Sequence, residues 1–529
     1  MATTSGSARP RPGRWLLGVF TAAVMATSGL VTAPTATAAE TVRTQNSYLT
    51  ITTAGWGHGR GMSQYGAWGA AKQGLKYDKI LAFYYPGTKL GKLTSGSSIR
   101  VWLKANPSKN LYVYSAKGLI IKDSKGKKFT LPNDKNHNKW RISRSGSKYV
   151  LWYRDAAKKY KKYTNKKFTL DPTKTWSFEN PKSGTVKLYL AAGNRTYRGS
   201  LSLAVGDSGT ITVNTVPVES YLRSVVPAEM PPSWSTEALK AQAVAARSYA
   251  ARYKANLKGK KAYDICDTTA CQVYKGTSAE YKTTDAAIKA TATKVLTYQG
   301  QYAWTEFSSS NGGYSVAGTD PYIKAKADPY DLAMNQVYAT SVKVSTIQKK
   351  YPKIGTFSSL SVTRDGKGRW GGRVTQVTLT GSKGSQKVTG AAFKSALGLR
   401  ETTMLIAGGL DPASANYKRW QKLGGSKGDA LGVFTTTEQK RGGGWYAGFE
   451  NGVLWSSSAT GSIRLTARID QAYTDAGGPE KSNLGFPVKD AGNKVSAGLD
   501  FTKGTSAQFE SGLISCPSDA KKECVVSFG

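Results

Sequence analysis

The stretch V-V-P-A-E-M-P-P-S-W-S-T-E-A-L-K-A-Q-A-V-A-A-R-S-Y-A, residues 225–250, joins a proline-rich segment carrying Glu229 to a run dominated by alanine. Pro227, Pro231 and Pro232 each fix φ and remove a backbone donor, so they predict a rigid turn around the glutamate. Beyond it Leu239, Ala243, Ala246, Ala250 and Tyr253 recur at helical spacing on one face, while Lys240 and Arg247 fall on others. This predicts a helix whose small side chains let a neighbour approach closely. Upstream, residues 199–204 and 210–214 alternate with period two, and short Val-, Tyr- and Trp-rich runs separated by Gly, Asn, Asp and Lys turns extend back to residue 99. The predicted fold class is α+β: a β-rich core with an alanine-rich helix after the Glu229 turn, and a second β-rich region at the C-terminal end.

Outward on the N-terminal side lies T-A-G-W-G-H-G-R-G-M-S-Q-Y-G-A-W-G-A-A at 53–71. Gly55, Gly57, Gly59 and Gly61 allow close backbone approach and present His58 on a loop, after which the pattern turns helical. No strand–glycine-rich turn–helix unit with a lysine-serine ending is present, so the glycines are not a phosphate-binding loop. Residues 156–167 interleave lysines with Tyr160 and Tyr163, a pattern expected of a solvated basic surface or of a contact for sugars and polyanions. On the C-terminal side, 307–313 is a hydroxyl-rich turn holding Ser309 and Ser310. The last hundred residues repeat themselves: L-G-V-F at 431–434 and G-F-E-N-G-V-L-W at 448–455 are echoed by L-G-F-P at 484–487 and F-E-S-G-L-I at 509–514. A recurrence of roughly 50–60 residues predicts stacked structural units rather than a catalytic fold.

The first residues address the compartment. Arg9, Arg11 and Arg14 precede an apolar run at 15–24, and A-T-A follows at 36–38, the pattern of a secretory signal peptide over 1–38. No later apolar run is long enough to span a bilayer, so membrane contact is expected only during export. The chain carries a formal charge of +42, and a secreted protein this basic is expected to meet a polyanion. Nucleic acid would satisfy the charge, but export favours anionic wall polymers and peptidoglycan. Cys266 with Cys271 and Cys516 with Cys524 form two close pairs. In an oxidising compartment each pair can close a small disulfide loop. Zinc is the competing use of the cysteines, and it needs further ligands that His58 and His137, both distant in sequence, do not supply.

Elimination narrows the chemistry. A Ser-His-Asp or Cys-His hydrolase would have to recruit one of those two histidines, and no G-x-S-x-G elbow is present. A zinc hydrolase needs clustered nitrogen ligands. Carboxylates remain, and Glu229 stands nearly alone. Glu237 is accounted for by the first turn of a helix, where its charge meets the macrodipole, and Glu219 follows a strand as a structural residue. A single carboxyl suffices when the substrate supplies its own nucleophile: it protonates the leaving oxygen and then takes the proton of the attacking hydroxyl. Such an acid must stay protonated near neutral pH, which apolar neighbours favour and an adjacent helix N-terminus opposes.

The motif at 225–250 resembles the signature of the stage II sporulation protein D family. C-Q-V-Y-K-G at 271–276, the turn ending in Gly312 and Gly313, D-P-Y-D at 328–331 and G-K-G-R-W at 366–370 resemble it too. So does the glycine-histidine motif, although here it precedes the core. The resemblance covers about 300 residues. It implies that Glu229 is the catalytic acid and base of a lytic transglycosylase, cutting between N-acetylmuramic acid and N-acetylglucosamine and leaving a 1,6-anhydro end. Arg247, Gln272, Tyr274, Ser309 and Ser310 are then expected to line the glycan groove, with His58 and Gln64 as a second wall. Some family members bind zinc through Cys and His; lacking nearby histidines, this chain is expected to use no metal and no cofactor. Other members enhance a separate cell-wall amidase, which makes such an amidase an expected alternative partner. The C-terminal region resembles LGFP repeats, which implies wall attachment. The expected organisation is a signal peptide at 1–38, the glycine-histidine segment at 39–95, the sporulation-protein-like domain at 96–402 and the repeat domain at 415–529.

Overall fold

The computed structural model describes residues 40–43, 47–166, 168, 170–257, 259–428, 430–492 and 504–529; the signal-peptide expectation lies outside them. The period-two segments form two antiparallel-rich sheets on one core. One runs, edge to edge, Tyr160–Lys162, Lys148–Arg154, Lys139–Ser145, Leu111–Tyr114, Thr185–Leu188 and Arg195–Arg198. The other has seven strands, with Gly209–Pro217 lying between Ser98–Trp102 and Ser200–Gly206. Trp140, Ile142, Leu151 and Val186 from the first meet Val101, Leu203, Trp176 and Phe178 from the second in a single buried cluster. Alternation makes this possible, because every second residue of each strand points to the same face.

The chain leaves the second sheet into the helix Val218–Glu229. Here the expected proline turn is corrected: Pro227 sits inside the helix, and Glu229 is its last residue. Pro227 removes one backbone hydrogen bond from the last turn, and the helix is held there by Tyr221, Leu222, Val225 and Val226, which are buried in the sandwich core. The alanine helix Thr236–Leu257 follows, but it is not one-sided. Ala243, Ala246 and Ala250 join the sandwich core, whereas Ala238, Leu239, Ala241, Val244 and Ala245 pack with Met62, Ala67, Ala70, Ile80 and Leu81. Small side chains permit burial all round, which a single amphipathic stripe would not.

That packing also corrects the expectation of a separate segment at 39–95. The helices Gln64–Lys72 and Tyr77–Tyr84 share a core with the alanine helix. Strand Tyr48–Ala54 lies between Val337–Lys343 and Met404–Ala407. The glycines explain the close weave. An added Cβ on Gly57 would lie 2.7 Å from Ser308 Cβ, and one on Gly61 would lie 1.9 Å from the Glu306 carbonyl oxygen.

The C-terminal region is a tandem repeat in three dimensions. Helices Ala415–Lys422 and Ala467–Asp475 each precede a β-hairpin, Gly444–Phe449 with Gly452–Ser457 and Gly504–Phe509 with Gly512–Pro517. In the first unit Trp420 Nε1 donates to the Gly432 carbonyl at 2.9 Å, and Val433 N–H donates to Glu450 at 3.2 Å. In the second, Tyr473 OH donates to the Gly485 carbonyl at 2.6 Å, and Phe486 N–H donates to Glu510 at 2.8 Å. The glycine of each L-G-x-F or L-G-F-P motif thus offers its carbonyl to a helix aromatic, and the following N–H is held by a hairpin glutamate.

Candidate functional site

Glu229 opens into a cleft of about 830 Å³ lined by Trp56, His58, Arg60, Gln64, Tyr249, Tyr253, Thr269, Ala270, Val273, Trp304, Glu306 and Ser309, among others. Its placement follows from local structure. The helix ends at Glu229 because Met230 turns extended, at φ −123° and ψ 138°. Met230 is buried with Leu239 and Val244, so the turn is held by the apolar core. Facing it, the disulfide between Cys266 and Cys271 closes the loop that carries Thr269 and Ala270 into the cleft. This bond and the one joining Cys516 to Cys524 are the two disulfides that the cysteine spacing suggests.

Each oxygen of Glu229 receives one neutral donor. Val273 N–H lies 3.3 Å from Oε1, and Gln64 Nε2 lies 3.3 Å from Oε2. Burial raises the carboxyl above the usual glutamate range, and these two hydrogen bonds oppose the rise without cancelling it. The helix macrodipole works in the same direction as burial. Glu229 stands at the C-terminal, negative end of its helix, which disfavours a carboxylate, whereas the sequence suggested the opposing N-terminus of the following helix.

His58, Gln64 and Ser309 line the cleft with Glu229, and the other expected groove residues do not. Arg247 is fully buried; its guanidinium chelates Glu219 at 2.7 and 2.9 Å and donates to the Lys294 carbonyl at 3.0 Å. Gln272 is buried, accepting from Tyr221 OH at 3.0 Å and donating to the Ala246 carbonyl. Tyr274 is buried with its hydroxyl on Asn214 at 2.7 Å. Ser310 is buried on Asp331 at 2.9 Å. These four are corrections: they brace the cleft from behind. Glu219 and Glu237 are structural, the latter capping Tyr77 N–H at 2.8 Å and pairing with Lys240.

Several lining residues carry no sequence signal of their own. Arg60, inside the glycine motif, makes a bidentate ion pair with Glu306 at 2.8–3.1 Å, putting a second carboxylate on the wall. His58, exposed at the cleft mouth, accepts from Arg60 N–H through Nδ1 at 3.0 Å, and partial desolvation together with the Arg60 charge lowers its pKa. Tyr249 and Tyr253 each stand 4.9 Å from Trp304, and Trp56 is half exposed. The Ser-rich turn is held to the N-terminal motif by a buried acidic residue. Asp331 accepts from Ser63 Oγ at 2.6 Å, Ser310 Oγ at 2.9 Å and Gly313 N–H at 2.9 Å, and burial beside Asp328 pushes it up to about 6. Among the described residues no three His, Cys, Asp or Glu side chains gather to hold a metal.

Comparison with known proteins bears on this arrangement. A family model described as stage II sporulation protein matches residues 206–298, which include both helices flanking Glu229 and the disulfide loop, and an LGFP repeat model matches 431–480. The chain is 45% identical over 116 residues to a Bacillus subtilis protein named amidase enhancer, covering 21% of this chain and 15% of that one. It is 32% identical over 201 residues to stage II sporulation protein D of Bacillus subtilis, covering 34% and 58%. It is 31% identical over 194 residues to an uncharacterized protein of Brachyspira hyodysenteriae, covering 31% and 52%. The chain therefore spans about half of the last two relatives and a smaller part of the first. It carries a domain of the stage II sporulation protein family and, C-terminal to it, an LGFP repeat.

Proposed function

We propose that this chain is a secreted, cell-wall-associated lytic transglycosylase that cuts the bond between N-acetylmuramic acid and N-acetylglucosamine in peptidoglycan glycan strands. The observation that carries the reading is Glu229: a carboxyl raised by burial at an open cleft, with one weak donor on each oxygen and no cation among its contacts. Protonated, it gives its proton to the glycosidic oxygen as the bond to C1 breaks. As carboxylate, it takes the proton of the muramic acid C6 hydroxyl as that oxygen bonds to C1. No water is consumed, the product is a 1,6-anhydro ring, and the acid is regenerated. Tyr249, Tyr253, Trp304 and Trp56 supply faces on which sugar rings pack, and the Arg60–Glu306 pair and Ser309 supply polar contacts along the strand. The LGFP repeats hold the enzyme on the wall.

The test is digestion of purified peptidoglycan by the wild type and by Glu229→Gln, read by mass spectrometry. Anhydromuropeptides from the wild type alone support the assignment; equal product from both removes Glu229 from the mechanism, and reducing ends would make the enzyme a hydrolase. A second reading is favoured by the 45% identity to the protein named amidase enhancer: a non-catalytic wall binder that stimulates an N-acetylmuramoyl-L-alanine amidase. Stimulation of a wall amidase that survives Glu229→Gln, with no anhydro product from either form, selects it.

A further inference from the structure

The six-stranded sheet has a second face. Leu111, Val113, Trp140, Ile142, Leu151, Val186 and Leu188 point into the core, so the alternate residues point away from it. Register places these in rows across the strands. One row reads Tyr112, Arg141, Trp152, Lys162, and the next reads Tyr114, Lys139, Arg154, Tyr160. Lys187 and Tyr189 flank both rows, and Lys148, Lys162 and Lys187 are exposed. None of the outward residues on these four strands is acidic.

The cations rest on the rings rather than on carboxylates. Arg141 lies 4.4 Å from the Trp152 ring and 4.9 Å from that of Tyr160, and its Nε has no hydrogen-bond partner. Lys139 lies 3.8 Å from the Tyr189 ring and 4.5 Å from that of Tyr114, and Lys187 lies 4.9 Å from the latter. The acids adjoining these strands, Asp134 and Asp155, are committed to His137 and Lys161. The lysine run at 156–167 contributes less than its composition suggested: Tyr160 and Lys162 join the face, Lys161 pairs with Asp155, and Tyr163 is buried. A ring beneath a cation holds its position without neutralising it, so the charges stay available to an external anion.

We propose that this outer face binds a polyanionic glycan polymer, one bearing phosphate or carboxylate groups along its length. Charge complementarity selects the anion, and strands about 4.8 Å apart place the cations of each row one or two strands from one another. The rings select against single-stranded nucleic acid. Tyr112 meets Tyr160 at 67° and Tyr189 at 71°, edge to face, and cations lie over the same rings, which leaves no row of free faces for stacked bases. The face lies outside the family match at 206–298 and does not depend on the chemistry of Glu229.

The test uses the full chain and four probes: dextran phosphate, polygalacturonate, neutral dextran and single-stranded DNA of matched charge. The wild type is expected to bind one or both anionic glycans, to ignore dextran, and to lose affinity steeply with salt; which glycan binds tells phosphate from carboxylate. Lys139→Gln with Arg141→Gln and Lys187→Gln should weaken glycan binding at least tenfold and flatten the salt dependence. Because Lys139 and Arg141 are half-buried among rings, the solvent-exposed pair Lys162→Gln and Lys187→Gln serves as a second variant, expected to lose about threefold with an unchanged melting temperature. Wild-type affinity in both variants overturns the proposal, as does tighter binding of DNA than of either glycan. Digestion and binding are separate readouts, so failure of the transglycosylase reading leaves this result intact.

Discussion

The cleft and the outer face of the six-stranded sheet hold charge in opposite ways. In the cleft, one carboxyl is partly shielded from water and given a neutral donor on each oxygen, with no cation among its hydrogen-bond partners in the described residues. On the face, cations accumulate over tyrosine and tryptophan rings at the edge of solvent. A group whose ionisation is set by desolvation responds to pH and to its immediate donors, and salt hardly reaches it. A lattice of exposed charges responds to salt, because beyond about 8 Å at physiological ionic strength their fields are screened. The two proposals therefore divide proton transfer from electrostatic adhesion, and each can be tested alone.

The largest expected effect comes from Glu229→Gln, which should lower anhydro-product formation by 10²-fold or more, the contribution of a positioned acid and base. Wall binding measured by sedimentation should be unchanged; loss of both would mean that the two regions are not separate.

Asp331 tests how the cleft wall is held. Its folded pKa, about 6, lies above the unfolded value near 3.8, so its stabilising contribution is complete below pH 3.8 and is lost as pH rises through 6. About two pKa units correspond to about 3 kcal/mol. Urea midpoints of the wild type should fall across pH 4–7, and Asp331→Asn should flatten that fall by up to this amount. An unchanged slope would place the titration elsewhere.

Gly61→Ala forces a Cβ to within 1.9 Å of the Glu306 carbonyl oxygen at a φ of +64°. A loss of roughly 1–3 kcal/mol in thermal or urea unfolding is expected, with reduced digestion and unaltered polyanion binding. A variant as stable and active as the wild type would show that the glycine motif does not set the wall.

The smallest effect is the most specific. Gln64→Leu removes a donor that lowers the Glu229 pKa, so the alkaline limb of the digestion rate should move to higher pH by less than about one unit. That limb should not move between low and high salt, whereas polyanion binding should. A limb moving to lower pH would contradict the role of Gln64 as donor to the carboxylate.

Much of this was legible along the chain. Period-two alternation located the strands, small-residue density located the central helix, and cysteine spacing located both disulfides. Glu229 stood out because histidine, thiol and metal chemistry had too few residues. Arg247, expected in the groove, is fully buried instead, because its guanidinium meets Glu219, 28 residues earlier, and the Lys294 carbonyl, 47 residues later, pairings that no local pattern reveals. Gln272, Tyr274 and Ser310 were misplaced for a related reason, since a polar side chain near a reactive residue reads the same whether it points into the groove or holds up its floor. Arg60 and Glu306 were missed because their pairing spans 246 residues.

By itself, the sequence determined the α+β class, the repeat at the C-terminal end and the candidate carboxyl, Glu229, because periodicity, spacing and elimination are properties of a one-dimensional string. Only the tertiary structure decided that Glu229 ends a helix instead of occupying a turn, that the glycine-histidine motif is woven against residues 306–312, and that lysines and tyrosines from four strands form one face. Each of these depends on which distant segments come within a few ångströms, and it is that proximity, through burial, pairing and cross-strand register, that sets charge and accessibility.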